Sequence, residues 1–304
     1  MTTPLSSSGC DTRRSGTLGV VDAIHRFSRP VLRRPRAIVA FEGWNDACEA
    51  ASGAAEFVLG QAGVTEPYAV IDPEEFFDFQ VRRPIVNIDD GGTRSLTWPT
   101  TRFFAVETAA DERDVVVVLG EEPSFRWKTF ARLVTRVLMD TDVEEVVLLG
   151  AFIGQVPHTR PVPVIGVATD PSLIIRYNLL GSRYEGPTGI IGVLQEACRE
   201  GGMPAVSLWA ATPHYLAANA NPKAMLALLD RLGDILAVDL DVAPLRRLAA
   251  EFETRVDDAV AESDDLAELV HELEDDEATD TPEVHLGVTE ELVAEIETFL
   301  RDQD

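Results

Sequence analysis

The side chains best suited to chemistry in this sequence lie in short loops that follow apolar segments. The loop at 157–161 reads Pro-His-Thr-Arg-Pro and carries His158 and Arg160, and His214 follows a later proline. A histidine can carry a proton near neutral pH, and an arginine can bind a carboxylate or phosphate through two parallel hydrogen bonds. The same side chains could instead bond to nearby backbone groups and only fix the loop, so both interpretations stay open.

Carboxylates lie in two further loops of the same kind. Glu42 and Asp46 follow one apolar run, and Glu185 precedes Thr188 after another. Together with the histidines, such carboxylates could form an acid–base or metal site. Thr188 lies at a predicted helix start, where free backbone N–H groups favour an anion; an ordinary capped helix is the alternative. The candidate ligand or partner site therefore comprises Glu42, Asp46, His158, Arg160, Glu185, Thr188 and His214.

The sequence lacks the common signatures of catalytic and cofactor sites. It contains no Walker A loop, no G-x-G-x-x-G, no G-x-S-x-G nucleophile elbow and no H-E-x-x-H or paired-cysteine metal motif. Cys10, Cys48 and Cys198 are far apart, which argues against a disulfide framework and for a reducing compartment. We expect no metal and no cofactor, favour a protein that is not an enzyme, and assign no catalytic residue.

Charge is unevenly distributed along the chain. The formal net charge is -26, and residues 239–304 hold 23 acidic against 4 basic residues. An acidic chain repels phosphate backbones, so we expect no nucleic-acid partner. The acidic segment is either a solvated helix surface that aids solubility or a docking surface for a basic partner. No signal peptide is apparent and the apolar runs are too short to cross a bilayer, so we expect a soluble cytoplasmic protein without membrane contact.

Apolar runs and helical patterns alternate through the first three quarters of the chain. This alternation predicts a largely parallel sheet with helices on both faces, and a hairpin at 85–98 around Asp-Asp-Gly-Gly adds an antiparallel portion. The fold class is therefore α/β with a mixed, mostly parallel sheet. Predicted strands are 36–41, 68–71, 75–81, 103–107, 115–119, 146–149, 162–168 and 206–210. Predicted helices are 47–59, capped by Asn45 or Asp46, 125–139, capped by Ser124, 171–179, 187–199 and 222–236.

Composition divides the chain into three parts. Residues 1–34 are rich in Ser, Arg and Gly and predict a flexible extension, with a short helix at 17–27 as an option. Residues 35–238 form the α/β domain. From 239 to 304 apolar residues recur at three- and four-residue spacing, which predicts a small, acidic, all-helical subdomain whose third helix spans 292–300.

Six segments in order resemble the proteasome assembly chaperone 2 family, in its actinobacterial-type branch. They are 41–47, 72–84, 121–127, 157–161, 184–190 and 209–215. The resemblance spans about residues 35–235 and implies a three-layer α/β/α fold similar to phosphorylase/hydrolase-like folds. The family's eukaryotic members help to assemble proteasome α-rings and are not known as enzymes, so the resemblance implies no catalytic residues.

Two functional hypotheses follow. The favoured one is a non-catalytic protein-binding or assembly-chaperone-like protein, with proteasome subunits or another protein as its partner. The alternative is a small-ligand-binding protein or an enzyme of the hydrolase/phosphorylase-like kind, with its site in the loops after the strands. The alternative predicts that several of the seven candidate residues meet in one polar pocket. The apolar and aromatic content of the α/β region favours a homo-oligomer, and the family's resemblance to ring-forming phosphorylase-like folds implies a trimer.

Overall fold

The computed structural model describes residues 23–89, 91–108, 113–216 and 219–275. Within these ranges the strands are β1 (Ile24–Arg26), β2 (Arg36–Glu42), β3 (Ala69–Ile71), β4 (Ile85–Ile88), β5 (Arg94–Thr97), β6 (Thr101–Val106), β7 (Val115–Glu121), β8 (Glu145–Gly154), β9 (Val164–Ala168), β10 (Leu180–Gly181) and β11 (Ala205–Pro213). The helices are α1 (Ala50–Ala62), α2 (Trp127–Asp140), α3 (Pro171–Arg176), α4 (Ile190–Glu200), α5 (Pro222–Leu236), α6 (Ala243–Ala261) and α7 (Asp264–Asp275).

Nine of the described strands form one mixed sheet in the order β1-β3-β6-β7-β2-β8-β11-β9-β10. The four central strands, β7, β2, β8 and β11, are parallel, whereas β6 pairs antiparallel with β7 and β9 pairs antiparallel with β11. Ile38 lies opposite Val117 and Val147 in this centre. Continuous apolar runs suit such strands because both of their faces are buried. The predicted α/β class is confirmed.

Two apolar cores lie on opposite faces of the sheet. Along β2, Ile38 and Ala40 belong to the core beneath α1 and α5, while Val39 and Phe41 belong to the core beneath α2 and α4. This alternation follows from the two-residue period of a strand, which directs successive side chains to opposite faces. The result is a three-layer α/β/α arrangement. Helices cover both faces of the sheet, so the loops at the strand ends lie outside the two cores.

The C-terminal helices have a third apolar cluster of their own. Phe252 and Val256 of α6 pack with Val270 of α7 and with Tyr215 and Leu216, which follow β11. Leu245, near the start of α6, instead joins the core beneath α1 and α5. The helix pair is therefore seated on the α/β domain, and the boundary at residue 239 stays a prediction. The predicted helix at 292–300 lies outside the described residues.

The predicted hairpin forms, but it lies apart from the main sheet. Strands β4 and β5 pair only with each other, with Val86 opposite Leu96. The antiparallel part of the sheet comes from its flanking strands, so the proposed contribution of the hairpin was wrong. Ring packing of Phe79 against Trp98, with centroids 4.8 Å apart, ties the base of the hairpin to the domain.

Three further local predictions need correction. The segment 75–81 forms turns, because Asp78 and Ser124 supply hydrogen bonds that replace a strand ladder: Asp78 accepts from the Gln80 N–H, and Ser124 Oγ accepts from the Asp78 N–H. Ser124 is thereby not the cap of α2, which begins at Trp127 after Arg126 in a left-handed conformation. Residues 24–26 form strand β1, not a helix, and pair with β3.

Candidate functional site

The carboxyl ends of the central strands open onto a cavity of about 550 Å³, here named the strand-end cavity. Its walls come from the segment after β2, the end of β8, strands β9 and β11, and the loop that enters α4. Most of the lining is apolar or aromatic. The lining residues with side chains able to hydrogen-bond are Trp44, Asp46, Cys48, Ser182, Tyr184, Thr188, Gln195, Ser207 and Trp209.

Asp46 lies in the wall of this cavity and caps the first turn of helix α1, which begins at Ala50. Its Oδ1 atom accepts hydrogen bonds from the backbone N–H groups of Ala51 at 2.7 Å and Ser52 at 3.1 Å. The predicted capping role therefore falls to Asp46 rather than to Asn45. Burial raises the pKa of the Asp46 carboxyl, although these hydrogen bonds lower it in part. The Asp46 side chain thus both caps α1 and lines the cavity.

Asn45 and Glu122 form the connection between the first loop and helix α4. Glu122 Oε1 accepts from Asn45 Nδ2 and from the Ile190 N–H, both at 2.8 Å. The helix N-terminus at Gly189 thus receives its anion from within the chain, as expected for an N–H-rich helix start. Glu122 was not predicted as a site residue, although the Gly-Glu-Glu-Pro run at the end of β7 places carboxylates at that strand end.

Aromatic packing over glycine shapes the cavity walls. Trp209 lies so close to Gly150 that a Cβ at Gly150 would come within 2.5 Å of the indole ring. Trp209 Nε1 donates to Ser207 Oγ at 3.0 Å, and that hydroxyl donates to Gln195 Oε1 at 2.7 Å. The place of Trp209 in the cavity wall could not be predicted, because nothing in one sequence shows that a strand's side chain faces a void.

Glu42, Glu185 and Thr188 occupy different positions around this region. Thr188 is exposed and lines the cavity, and Glu185 is exposed outside its lining. Glu42 is the last residue of β2. Burial is the largest cause of the raised pKa of its carboxyl, and the neighbouring carboxylates of Glu121, Glu56 and Asp46 raise that pKa further. The strand end is therefore a region of negative potential.

His158 lies away from the cavity, where the loop after β8 meets α6. We name this contact region the helix junction. The His158 ring is buried, and its Nε2 lies 3.0 Å from Asp257 Oδ1 while its Nδ1 lies 2.8 Å from Tyr215 Oη. The His158 backbone N–H also donates to Tyr215 Oη at 2.8 Å. With the tyrosine hydroxyl accepting that bond and donating to Nδ1, the proton of a neutral His158 lies on Nε2 and faces Asp257.

The other residues of the loop complete the helix junction. Thr159 Oγ1 donates to the Glu274 carboxylate, and the Arg160 guanidinium donates to the Glu274 backbone carbonyl at the end of α7. Lys223 donates to the His158 carbonyl and pairs with Glu253 of α6 at 3.0 Å. The loop that seemed suited to catalysis therefore binds the C-terminal helices.

His214 belongs to the turn at His214–Leu216, which follows β11. Its ring is half-buried and lies edge-on to Tyr215, with centroids 5.4 Å apart. The seven candidate residues thus separate into groups: Asp46 and Thr188 at the cavity, Glu42 and Glu185 beside it, and His158, Arg160 and His214 around the helix junction. The structure does not bring them into one pocket.

Across residues 23–275, apart from the gaps given above, no group of three or more His, Cys, Asp or Glu side chains is placed to hold a metal ion. In the same ranges, no helix has the length and apolar character needed to cross a membrane.

Several solved structures resemble this chain, two of them in sequence as well as in fold. A PAC2 family protein from Streptomyces avermitilis shares 47% identity and a TM-score of 0.73, covering 78% of this chain and 99% of that one. A proteasome-assembly chaperone homologue from Mycobacterium tuberculosis shares 43% identity and a TM-score of 0.71, covering 77% and 99%. A Pyrococcus furiosus proteasome activator shares 19% identity and a TM-score of 0.62, covering 77% and 97%, and therefore supports only the fold.

A search of curated proteins gives no significant match. The profile of the PAC2 family, by contrast, matches residues 40–260, a range that includes the strand-end cavity, the contact of His158 with Asp257 and most of α6. By this match, and by the two actinobacterial structures, the chain belongs to the PAC2 family.

Proposed function

We propose that this chain is a non-catalytic, assembly-chaperone-like protein that binds other proteins, with proteasome subunits as its partners. The contacts of His158 support this proposal. Its backbone N–H and its ring bond to Tyr215, and its ring also bonds to Asp257 of α6, so this histidine holds the helix in place. The family relation supports it as well, since a relative at 43% identity is a proteasome-assembly chaperone homologue. A cytoplasmic location agrees with such partners.

The observation that carries the proposal is the outer surface of α6 and α7. The two helices bury Phe252, Val256 and Val270 against the domain, and they present carboxylates to solvent on the other side. We name this surface the acidic face; it consists of Glu251, Asp258, Glu262, Asp264, Asp265, Glu268, Glu272 and Asp275. A surface with one sign of charge attracts a partner of the opposite sign and speeds its association.

The test is capture of proteasome α- and β-subunits from the same host by the purified full-length chain. The variant replaces four residues of the acidic face by lysine: Glu251, Asp258, Glu262 and Glu268. We expect affinity for the partner to fall about a hundredfold at low salt, because attraction becomes repulsion. We also expect binding of the unchanged chain to weaken as salt is added.

A matched control separates local from overall charge. It replaces four exposed acids elsewhere by lysine, so that the net charge changes equally: Glu66, Glu74, Glu107 and Glu200. The control is expected to retain capture. If both variants lose capture equally, or if neither does, the acidic face is not the docking surface.

A homo-oligomer, with three copies as the expected number, is the second part of the proposal. The hairpin supports it: Val86, Ile88 and Leu96 lie on one face of β4 and β5 and are 55%, 61% and 53% exposed. A two-stranded hairpin is at best marginally stable alone, and contiguous exposed apolar side chains mark an interaction surface. A second copy of the chain would cover this face.

The oligomer is tested by light scattering after size-exclusion chromatography. The unchanged chain should have three times the 33.2 kDa mass of one copy. Replacing Val86 by Asp and Leu96 by Lys should reduce it to one copy while circular dichroism stays unchanged. A single-copy mass for the unchanged chain would contradict this part of the proposal.

A further inference from the structure

The strand-end cavity has aromatic walls at its mouth and in its interior. Trp44 and Tyr184 line it while remaining 52% and 47% exposed, and Trp209 lies half-buried beside them. Covering large aromatic side chains and so removing them from water lowers the free energy. A cavity of about 550 Å³ also falls in the size range of small-molecule sites, which are mostly apolar with a few polar groups.

The charges around the cavity select against anions. Asp46 is the one charged side chain that lines it within the described part of the chain. The positive N-terminus of α1 offsets roughly half of the negative charge of Asp46. Glu42, with Glu121 near it, adds negative charge close to Asp46. Arg82 is paired with Glu121 at 3.0 Å. The N-terminus of α4, which would otherwise attract an anion, is already occupied by Glu122.

We propose that the strand-end cavity binds a small organic cation, an amine carried on an aromatic or alkyl body. The body would contact the apolar walls, and the ammonium group would face Asp46 and the rings of Trp44 and Tyr184. Cations are attracted to the faces of such rings, most strongly to tryptophan. The proposal does not depend on the protein partner, since the cavity lies apart from the acidic face.

The test compares three molecules of similar shape by calorimetric titration of the full-length chain. They are 2-phenylethylamine, 2-phenylethanol and 3-phenylpropanoate, which are cationic, neutral and anionic at pH 7. We expect the amine to bind about tenfold more tightly than the alcohol, and the acid to bind most weakly. Equal affinities for amine and alcohol, stronger binding of the acid, or no amine binding at about 10 mM would overturn the proposal.

Two variants place the binding in the cavity. Asp46→Asn keeps a side-chain oxygen able to cap α1 but removes the charge, so it should lower amine affinity several-fold, toward that of the alcohol, and leave alcohol affinity unchanged. Trp44→Ala should weaken both. Phe125→Ala is the matched control, because Phe125 is 49% exposed and does not line the cavity. An unchanged amine-to-alcohol ratio in Asp46→Asn, with circular dichroism unaltered, would overturn the role of the carboxylate.

Discussion

The strand-end cavity and the helix junction lie after the same parallel strands but use their polar residues differently. At the helix junction, both ring nitrogens of His158 and the side chains of Thr159 and Arg160 contact Tyr215, α6 or α7. At the cavity, Trp44 and Tyr184 remain about half exposed beside an open volume. The comparison shows that a polar loop after a strand becomes a structural contact when another element of the chain covers it.

The largest expected effect is at the helix junction. His158→Ala removes a buried ring and leaves the Tyr215 hydroxyl without its ring partner, so the free energy of unfolding should fall by about 3 kcal/mol. Urea denaturation measures this change. His271→Ala is the control, because His271 is exposed on α7 and pairs with the equally exposed Asp275; its effect should stay below about 0.5 kcal/mol. Equal effects would mean that His158 does not hold the helices.

An intermediate effect is expected at the connection beside the cavity. A Cβ at Gly189 would lie 2.2 Å from Asn45 Nδ2, and Asn45 is buried and hydrogen-bonded to Glu122. Gly189→Ala should therefore lower the free energy of unfolding by about 2 kcal/mol. Gly60→Ala in α1 meets open space and should raise it by about 0.5 kcal/mol. Thermal unfolding would contradict the packing at Gly189 if both changes had the same sign.

The smallest effect concerns pH at the cavity wall. Because burial raises the pKa of Asp46 in the folded chain, the folded state binds more protons than the unfolded state as pH rises from the ordinary value of 3.8. The contribution of Asp46 to the free energy of unfolding should therefore decrease through that window. Asp46→Asn removes this contribution, so its stability relative to the unchanged chain should increase with pH. A difference that stays constant or decreases, measured by urea denaturation across the window, would rule out the raised pKa.

The sequence predicted the sheet well because its centre depends on local pattern. The apolar runs that form β2, β7 and β8 are buried on both faces, and such runs differ clearly from their polar flanks. Helix α5 began and ended as predicted, because Asn221 caps it and Pro222 occupies its first turn. The segment 75–81 was misjudged, since its aromatic residues pack from turns rather than from a strand.

The site was harder to predict because its contacts are distant in sequence. His158 contacts Asp257 across 99 residues, and Glu122 contacts Ile190 across 68. No spacing rule within a single sequence encodes such pairs. Asp46 was identified because helix capping is local. Trp209 as a cavity wall depends on Gly150 of a neighbouring strand, whose role appears only once the register is known.

Zero-length carbodiimide cross-linking in the host extract tests the protein-binding proposal most directly. The reagent joins carboxylates to amines, and this chain has only two lysines, Lys128 and Lys223, so most links from the acidic face must reach a partner. We predict that mass spectrometry finds links from Glu251, Asp258 and other residues of that face to lysines of proteasome subunits. Links confined to carboxylates elsewhere, or no link to any proteasome subunit, would contradict the proposal.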